Sequence, residues 1–251
     1  MTTPTKPPAS VLHPSRDSYI ASPSPIEAEL RSIFAEDEPL VIFDIGSCEG
    51  EDAIRYARLF PKARVFALEP LPANLEILRA NVARYTPDGG ITVLDVAASD
   101  RSGNATFHVS SGQPDDRPPA PDWDYGNKSS SLLAPERHRE IFPWITFDRE
   151  ITVTTTRVDE LCERLGIEAI DFIHLDVQGA ELAVLAGAGR ILETVRAIWT
   201  EVEAIPLYRD QPMKADVEAF MTARGFAIMK DTVGSVSGDQ LYVRRLAGSH
   251  P

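Results

Sequence analysis

Three short apolar runs, each closed by an acidic residue, constrain this chain more than any other feature. Leu40-Val-Ile-Phe43 ends at Asp44, Arg64-Val-Phe-Ala-Leu68 at Glu69 and Ile91-Thr-Val-Leu94 at Asp95, so the acids fall 25 and 26 residues apart. Apolar runs this short and unbroken are strands buried on both faces, as in a parallel sheet. Between the last two runs Leu71, Leu75, Leu78, Val82 and Tyr85 recur at steps of three and four, which predicts a helix with one wet face. A helix over about 51–60 fills the earlier interval. Repeated strand-helix units with right-handed crossovers place the three strands in one parallel sheet.

The rhythm resumes past position 150. Ile170 to Leu175 reads as a strand ending at Asp176, with a helix over about 179–192. Ala197-Ile-Trp199 runs on to Glu201, with a helix over roughly 213–224 after it. Phe226–Met229 and Gln240–Arg244 read as closing strands, and Gly225 stands where a helix stops. Residues 230–239 are too few for a helical crossover, so this last pair is predicted antiparallel. The pattern as a whole predicts a doubly wound, mostly parallel α/β sheet.

Two stretches break the rhythm. Residues 1–25 carry six of the twenty prolines and read as a flexible tail, ahead of a short amphipathic helix over Ile26–Phe34. Residues 111–150 are proline-rich yet hold Trp123, Tyr125, Phe142 and Trp144. A loop this long is functional or disordered, and the aromatics favour an ordered lid over the sheet's carboxyl edge. Strands at Thr106–Val109 and Ile151–Thr155 frame it. One domain over 26–251, with a lid-like insertion at about 111–150, is the predicted organisation.

A net charge of −13 argues against nucleic-acid binding, which needs basic surface to neutralise phosphates. No apolar run approaches a membrane span, and Met1–Ser10 has no secretory pattern. The two cysteines, Cys48 and Cys162, stand far apart, so a reducing cytoplasm is the natural home. A homo-oligomer is left open.

Ligands of open α/β sheets lie outside the carboxyl ends of the strands. Asp44-x-Gly46-x-x-x-Gly50 occupies that place, and Glu69 is set to accept both hydroxyls of a ribose. A dinucleotide fingerprint wants glycines at steps of two and five from Gly46, where this chain has Cys48 and Glu51. Glu49 and Glu51 would also repel a pyrophosphate but not a sulfonium. The site therefore reads as one for S-adenosylmethionine, with a nicotinamide-dependent oxidoreductase and a non-catalytic Rossmann-like binding module as the rivals.

These residues, with Asp171-Phe-Ile-His-Leu-Asp-Val-Gln-Gly-Ala-Glu181 above all, resemble the FkbM-type methyltransferases, a branch of the class I S-adenosylmethionine-dependent enzymes. Phe43–Gly46, Leu68–Pro70, Ala97–Asp100, Ser129–Leu132, Thr156–Leu161 and Gly238–Tyr242 support the resemblance, which runs from about Val41 to Arg244. It implies a seven-stranded sheet with the last strand antiparallel, and an alcohol acceptor on a sugar, glycoside or natural product. It also implies that Asp44 and Gly46, with Ser47 and Gly50 in the same turn, hold the methionine moiety. Glu69 and Pro70 would take the ribose, and Asp95, Val96 and Ala97 the adenine. Asp176 would face the reacting centre. The chain departs from the family in having His174 where a lysine is frequent and Gln178 where a glutamate is.

In-line methyl transfer to an alcohol calls for a positioned general base. Asp176 is the first candidate, with cofactor binding or helix capping as its other reading. Glu201, a second strand-end carboxylate, and His174, on the face of Asp176, follow. Asp176 and Glu201 are also the residues that would take magnesium, which the spacing does not favour. His138 reads as part of a solvated basic face beside Arg137 and Arg139. Tyr208 reads as a wall of the acceptor pocket.

Overall fold

A computed structural model of the chain describes residues 16–114 and 123–245. Its main sheet contains β1 (Val41–Ile45), β2 (Arg64–Leu68), β3 (Ile91–Leu94), β7 (Phe172–Leu175), β8 (Ala197–Glu203), β9 (Phe226–Asp231) and β10 (Ser237–Arg244). Their order is β3-β2-β1-β7-β8-β10-β9. The first five named run parallel, and β10 is antiparallel to both β8 and β9. Chain order reverses between β1 and β7, which opens a crevice at their carboxyl ends.

Both faces of the sheet are covered, which is why β1 and β2 carry almost no polar residue. On one face α2 (Glu27–Ile33), α3 (Glu51–Leu59) and α4 (Pro72–Tyr85) press Leu30, Tyr56, Leu59 and Leu78 onto Ile42 and Val65. On the other, α6 (Val158–Leu165), α7 (Glu181–Gly187) and α8 (Lys214–Ala223) bring Leu161, Val184, Leu185 and Val217 onto Phe43 and Ile173. Each such side chain contributes about 1.5–3 kcal/mol on burial.

The helix predicted over 179–192 is broken. Gly189 sits at φ +51°, a left-handed backbone that no α-helix continues through, and the chain goes on as a 3-10 turn over Gly189–Thr194. The lid region also differs from expectation. Its framing strands are longer, β5 (Gly103–Gly112) and β6 (Ile145–Thr156), and with β4 (Ala97–Ala98) they form a second, three-stranded sheet. Asp148, Arg149 and Glu150 are exposed, so the ribbon is held there by its backbone ladder and lacks apolar alternation. A 3-10 turn over Tyr125–Ser129 and α5 (His138–Ile141) complete the insertion.

The flexible tail expected over 1–25 lies partly outside the described residues, and from Arg16 onward the chain departs from it. Arg16–Ala21 forms α1, Ile20 is buried, and the Arg55 guanidinium lies 4.2 Å over the Tyr19 ring. A cation held on an aromatic face fixes this segment to α3.

Candidate functional site

A cleft, part cavity and part open to solvent, lies at the carboxyl ends of β2, β1 and β7. The β1 turn gives it Ile45, Gly46 and Cys48, the β2 end gives Leu68, Glu69 and Pro70, and β7 gives Asp176, Val177 and Gln178. Val96, Ala97, Ala98, Phe107 and Leu132 form an apolar wall, while Asn74, Asn127, Lys128 and Ser130 close the rim.

Glu69 is the buried anchor of this cavity, at 5% exposure. Its Oε2 accepts the Cys48 N–H at 2.9 Å and its Oε1 accepts the Leu71 N–H at 2.8 Å. Burial outweighs these two donors and pushes its carboxyl up to about 8. Gly46 has φ +87°, and a Cβ there would meet the Asp176 carbonyl oxygen at 1.8 Å. Only glycine lets the β1 turn approach the β7 end so closely.

The other expected cofactor residues divide. Pro70, Val96, Ala97 and Asp176 are in the walls. Ser47 and Gly50 shape the turn from outside: Ser47 Oγ donates to the Asp44 carbonyl at 2.7 Å, and Gly50, at φ +86°, sits against Leu78. Asp95 is exposed at the end of β3 and does not line the cavity. Asp44 is turned beneath it, with Oδ1 3.0 Å from His174 Nδ1. The backbone alternation of neighbouring strands explains this: Asp44 and His174 are register partners facing α3, whereas Ile45 faces the other side.

His174 is therefore packed away from the cavity, with its ring edge-on to Tyr56 at 5.7 Å. Burial alone would discharge it, but the contact with Asp44 and the charge of Asp52 prevail and raise it to about 9. It faces Asp44 and does not line the cavity.

Asp176 and Glu201 meet through Gln178, the residue that stands where the family often has a glutamate. Gln178 Nε2 donates to Asp176 Oδ1 at 2.7 Å and also to Glu201 Oε2, while the Tyr208 hydroxyl lies 2.8 Å from Gln178 Oε1. An amide nitrogen between two carboxylates and an amide oxygen facing a hydroxyl is the one orientation that satisfies all three neighbours. Gln178 holds φ +58°, a strained backbone for a side-chain-bearing residue, kept in place by these bonds and by the Ser131 hydroxyl on its carbonyl at 2.8 Å. Burial, then the charges of Asp176 and Glu203, push Glu201 well above the ordinary carboxylate range. Capping of the β7 loop falls to Glu181, which accepts the Val177 and Gly179 N–H groups at 3.0 and 3.2 Å.

Tyr208 is fully buried and reaches the site only through its hydroxyl. His138, expected on a solvated face, is buried at 2% exposure among Phe142, Phe147 and Tyr208, and burial drives it down to about 4. Trp123 and Tyr125 stack on each other at 4.8 Å. Among the described residues, no group of three or more His, Cys, Asp or Glu is arranged to hold a metal ion, and no helix is long and apolar enough to cross a membrane.

The raised acids have a consequence for stability. Glu69 at about 8, Glu181 and Asp239 at about 7 and Glu203 at about 9 all lie above their unfolded values near 4, so the folded state binds more protons across that window. Unfolding free energy must then fall as pH rises. His174 acts in the same direction, its stabilisation being full below about 6.5 and lost through about 9. We expect the ligand-free melting temperature to fall steadily from about pH 6 to about pH 9 in calorimetry; a flat or rising curve would refute these assignments.

A seven-stranded sheet of this order, with an acid-anchored cavity beside its switch point, defines an α/β enzyme that binds a nucleoside cofactor. The chain belongs to the FkbM methyltransferase family, whose methyltransferase FkbM domain matches residues 44–228. It is 36% identical over 217 residues to the 2-O-methyltransferase NoeI of Sinorhizobium fredii, covering 86% of this chain and 84% of NoeI. It is 24% identical to the 31-O-demethyl-FK506 methyltransferase FkbM of Streptomyces tacrolimicus over 83% of this chain and 82% of that one. The hexuronic acid methyltransferase AglP of Haloferax volcanii is 27% identical over 67% of this chain and 58% of its own length. The protein is accordingly an S-adenosylmethionine-dependent methyltransferase, and the oxidoreductase and binding-module readings fall away.

Proposed function

We propose that this enzyme methylates a hydroxyl of a sugar, glycoside or related natural product, with Asp176 as the proton acceptor. The observation that carries the reading is Asp176 itself, a carboxylate in the cavity wall held at one oxygen by Gln178. The names of two relatives favour an O-acceptor, a 2-O-methyltransferase and a 31-O-demethyl-FK506 methyltransferase, and a hexuronic acid methyltransferase adds a sugar-type acceptor.

The residues fit the cofactor. Glu69 offers a carboxylate to a ribose diol, the Val96–Ala98 wall with Phe107 and Leu132 suits an adenine, and the β1 turn at Gly46 lines the cleft beyond Glu69, where the tail would lie. When bound, S-adenosylmethionine supplies a methyl group activated by its sulfonium. Asp176, with one oxygen held by Gln178, would accept the acceptor's hydroxyl proton on its second oxygen. Glu201, pushed up and outside the cavity lining, acts through Gln178 by holding that carboxylate in place, not on the acceptor. His174 supports the β1 end from beneath.

General-base removal costs about 100- to 10,000-fold in rate. With labelled cofactor and an array of sugar and natural-product hydroxyls, Asp176→Asn should therefore lose at least about 100-fold in turnover while still binding S-adenosylhomocysteine. Undiminished turnover in that variant removes Asp176 as the base.

A further inference from the structure

We propose that Lys128 binds the α-carboxylate of the cofactor's methionine portion, an inference that rests on the cofactor occupying the cavity described above. Among the described residues lining that cavity, Lys128 is the sole lysine or arginine. Three charged groups mark the amino-acid end of S-adenosylmethionine: an ammonium, a sulfonium and a carboxylate. A lysine repels the first two and attracts the third.

The order of strands fixes which part of the ligand reaches it. Walls from the β3 side are apolar, Glu69 closes β2, and the turn after β1 lies beyond it in the direction of β7. A ligand with its diol on Glu69 and its base on the β3 side must send its tail over the β1 turn. Lys128 stands there. Cys48 N–H donates to Glu69 Oε2, and Cys48 Sγ on the same residue is 3.9 Å from Lys128 Nζ. One residue thus separates the ribose anchor from the cation.

Lys128 is also held ready for a second anion. Glu51 Oε1 lies 2.7 Å from its Nζ and is sealed at 3% exposure, while the lysine side chain remains 37% open. An ammonium has three donors; Glu51 engages one and Cys48 Sγ, at 3.9 Å, a second, with the Tyr19 ring 5.2 Å away, so one donor remains for a ligand oxygen. The same ion pair explains why the 3-10 turn carrying Lys128 lies over the first turn of α3.

Calorimetric titration of the full-length protein with S-adenosylhomocysteine and with its decarboxylated analogue tests this directly, without an acceptor. Wild type should favour S-adenosylhomocysteine by at least about tenfold, the yield of one charge-assisted hydrogen bond. Lys128→Met should abolish that preference while leaving affinity for the decarboxylated analogue within about twofold, and Lys128→Arg should keep most of it. Equal affinity of wild type for the two ligands overturns the inference, and this readout does not depend on any variant folding. An equal loss for both ligands in Lys128→Met also overturns it, since a lysine that merely pins the turn would act so. Failure of wild type to bind either ligand instead sinks the cofactor assignment on which the inference rests.

Discussion

Glu69→Ala is expected to weaken S-adenosylhomocysteine binding by at least about 100-fold. Hydrogen bonds to a charged acceptor contribute about 1.5–3 kcal/mol each, and two ribose hydroxyls on one carboxylate give a loss of about 3 kcal/mol or more. At about 1.4 kcal/mol per tenfold that is two decades or beyond. The variant should nonetheless fold. With its carboxyl raised to about 8, Glu69 is mostly protonated in the empty site near neutral pH, so deleting it strands no counter-charge and costs the bonds to Cys48 and Leu71. Glu69→Gln keeps an acceptor without the charge and should fall between the two. Titration calorimetry beside a thermal melt decides the matter: unchanged affinity with an unchanged melt refutes the ribose assignment.

The architecture was legible because every parallel strand needs cover on both faces. That requirement wrote itself as unbroken apolar runs; Glu69 and Asp176 stand just past the ends of β2 and β7, whereas Asp44 and Glu201, expected at strand ends, lie inside β1 and β8, which run on to Ile45 and Glu203. Where backbone pairing did the holding, the pattern was silent. β6 crosses Asp148-Arg-Glu150 with no apolar alternation, and α1 depends on a guanidinium–ring contact and an Arg16–Glu49 ion pair 33 residues apart in sequence. Neither leaves a periodic signature.

The candidate site followed the same division. Glu69 and Gly46 stand at positions whose role is set by local chain geometry, a strand end and a reversal, and these are readable from sequence. The directions of the Asp44 and His174 side chains are not readable in the sequence, because a residue near a strand end has two faces available and only the register with β7 tells which one it takes. Asn127 and Lys128 come from the far side of the chain. They reach the cavity because Asn127 Nδ2 bonds Asn74 and Glu49, both at 3.1 Å, and Lys128 pairs with Glu51. Pairings over 53 to 78 residues of sequence carry no spacing rule. Gln178 was visible as a departure from the family, yet its bridging of two carboxylates required knowing that β7 and β8 are neighbours.

Gly46→Ala is expected to be strongly destabilising, and a second glycine isolates the reason. Gly46 and Gly89 share nearly the same left-handed backbone, φ +87° and +91°, so both substitutions carry the same dihedral cost of about 1–2 kcal/mol. Their surroundings differ. A Cβ on Gly89 meets nothing within 4 Å, whereas one on Gly46 lands 1.8 Å from the Asp176 carbonyl. That carbonyl has no room to retreat, because Asp176 N–H donates to the Ile45 carbonyl at 3.0 Å and Ile45 is in register with Leu175. Relief requires prising β1 from β7 where the crevice begins. Gly89→Ala should lower the melting temperature by about 2–6 °C, in line with about 1–2 kcal/mol in a chain of this size. Overpacking adds a further 1–3 kcal/mol or more at Gly46, so the drop there should at least double. Cofactor affinity should fall with it, since Gly46 and Asp176 are both cavity walls. Equal melting shifts in the two variants, with S-adenosylhomocysteine still binding the Gly46 variant normally, would show that the turn is not wedged against β7 as described.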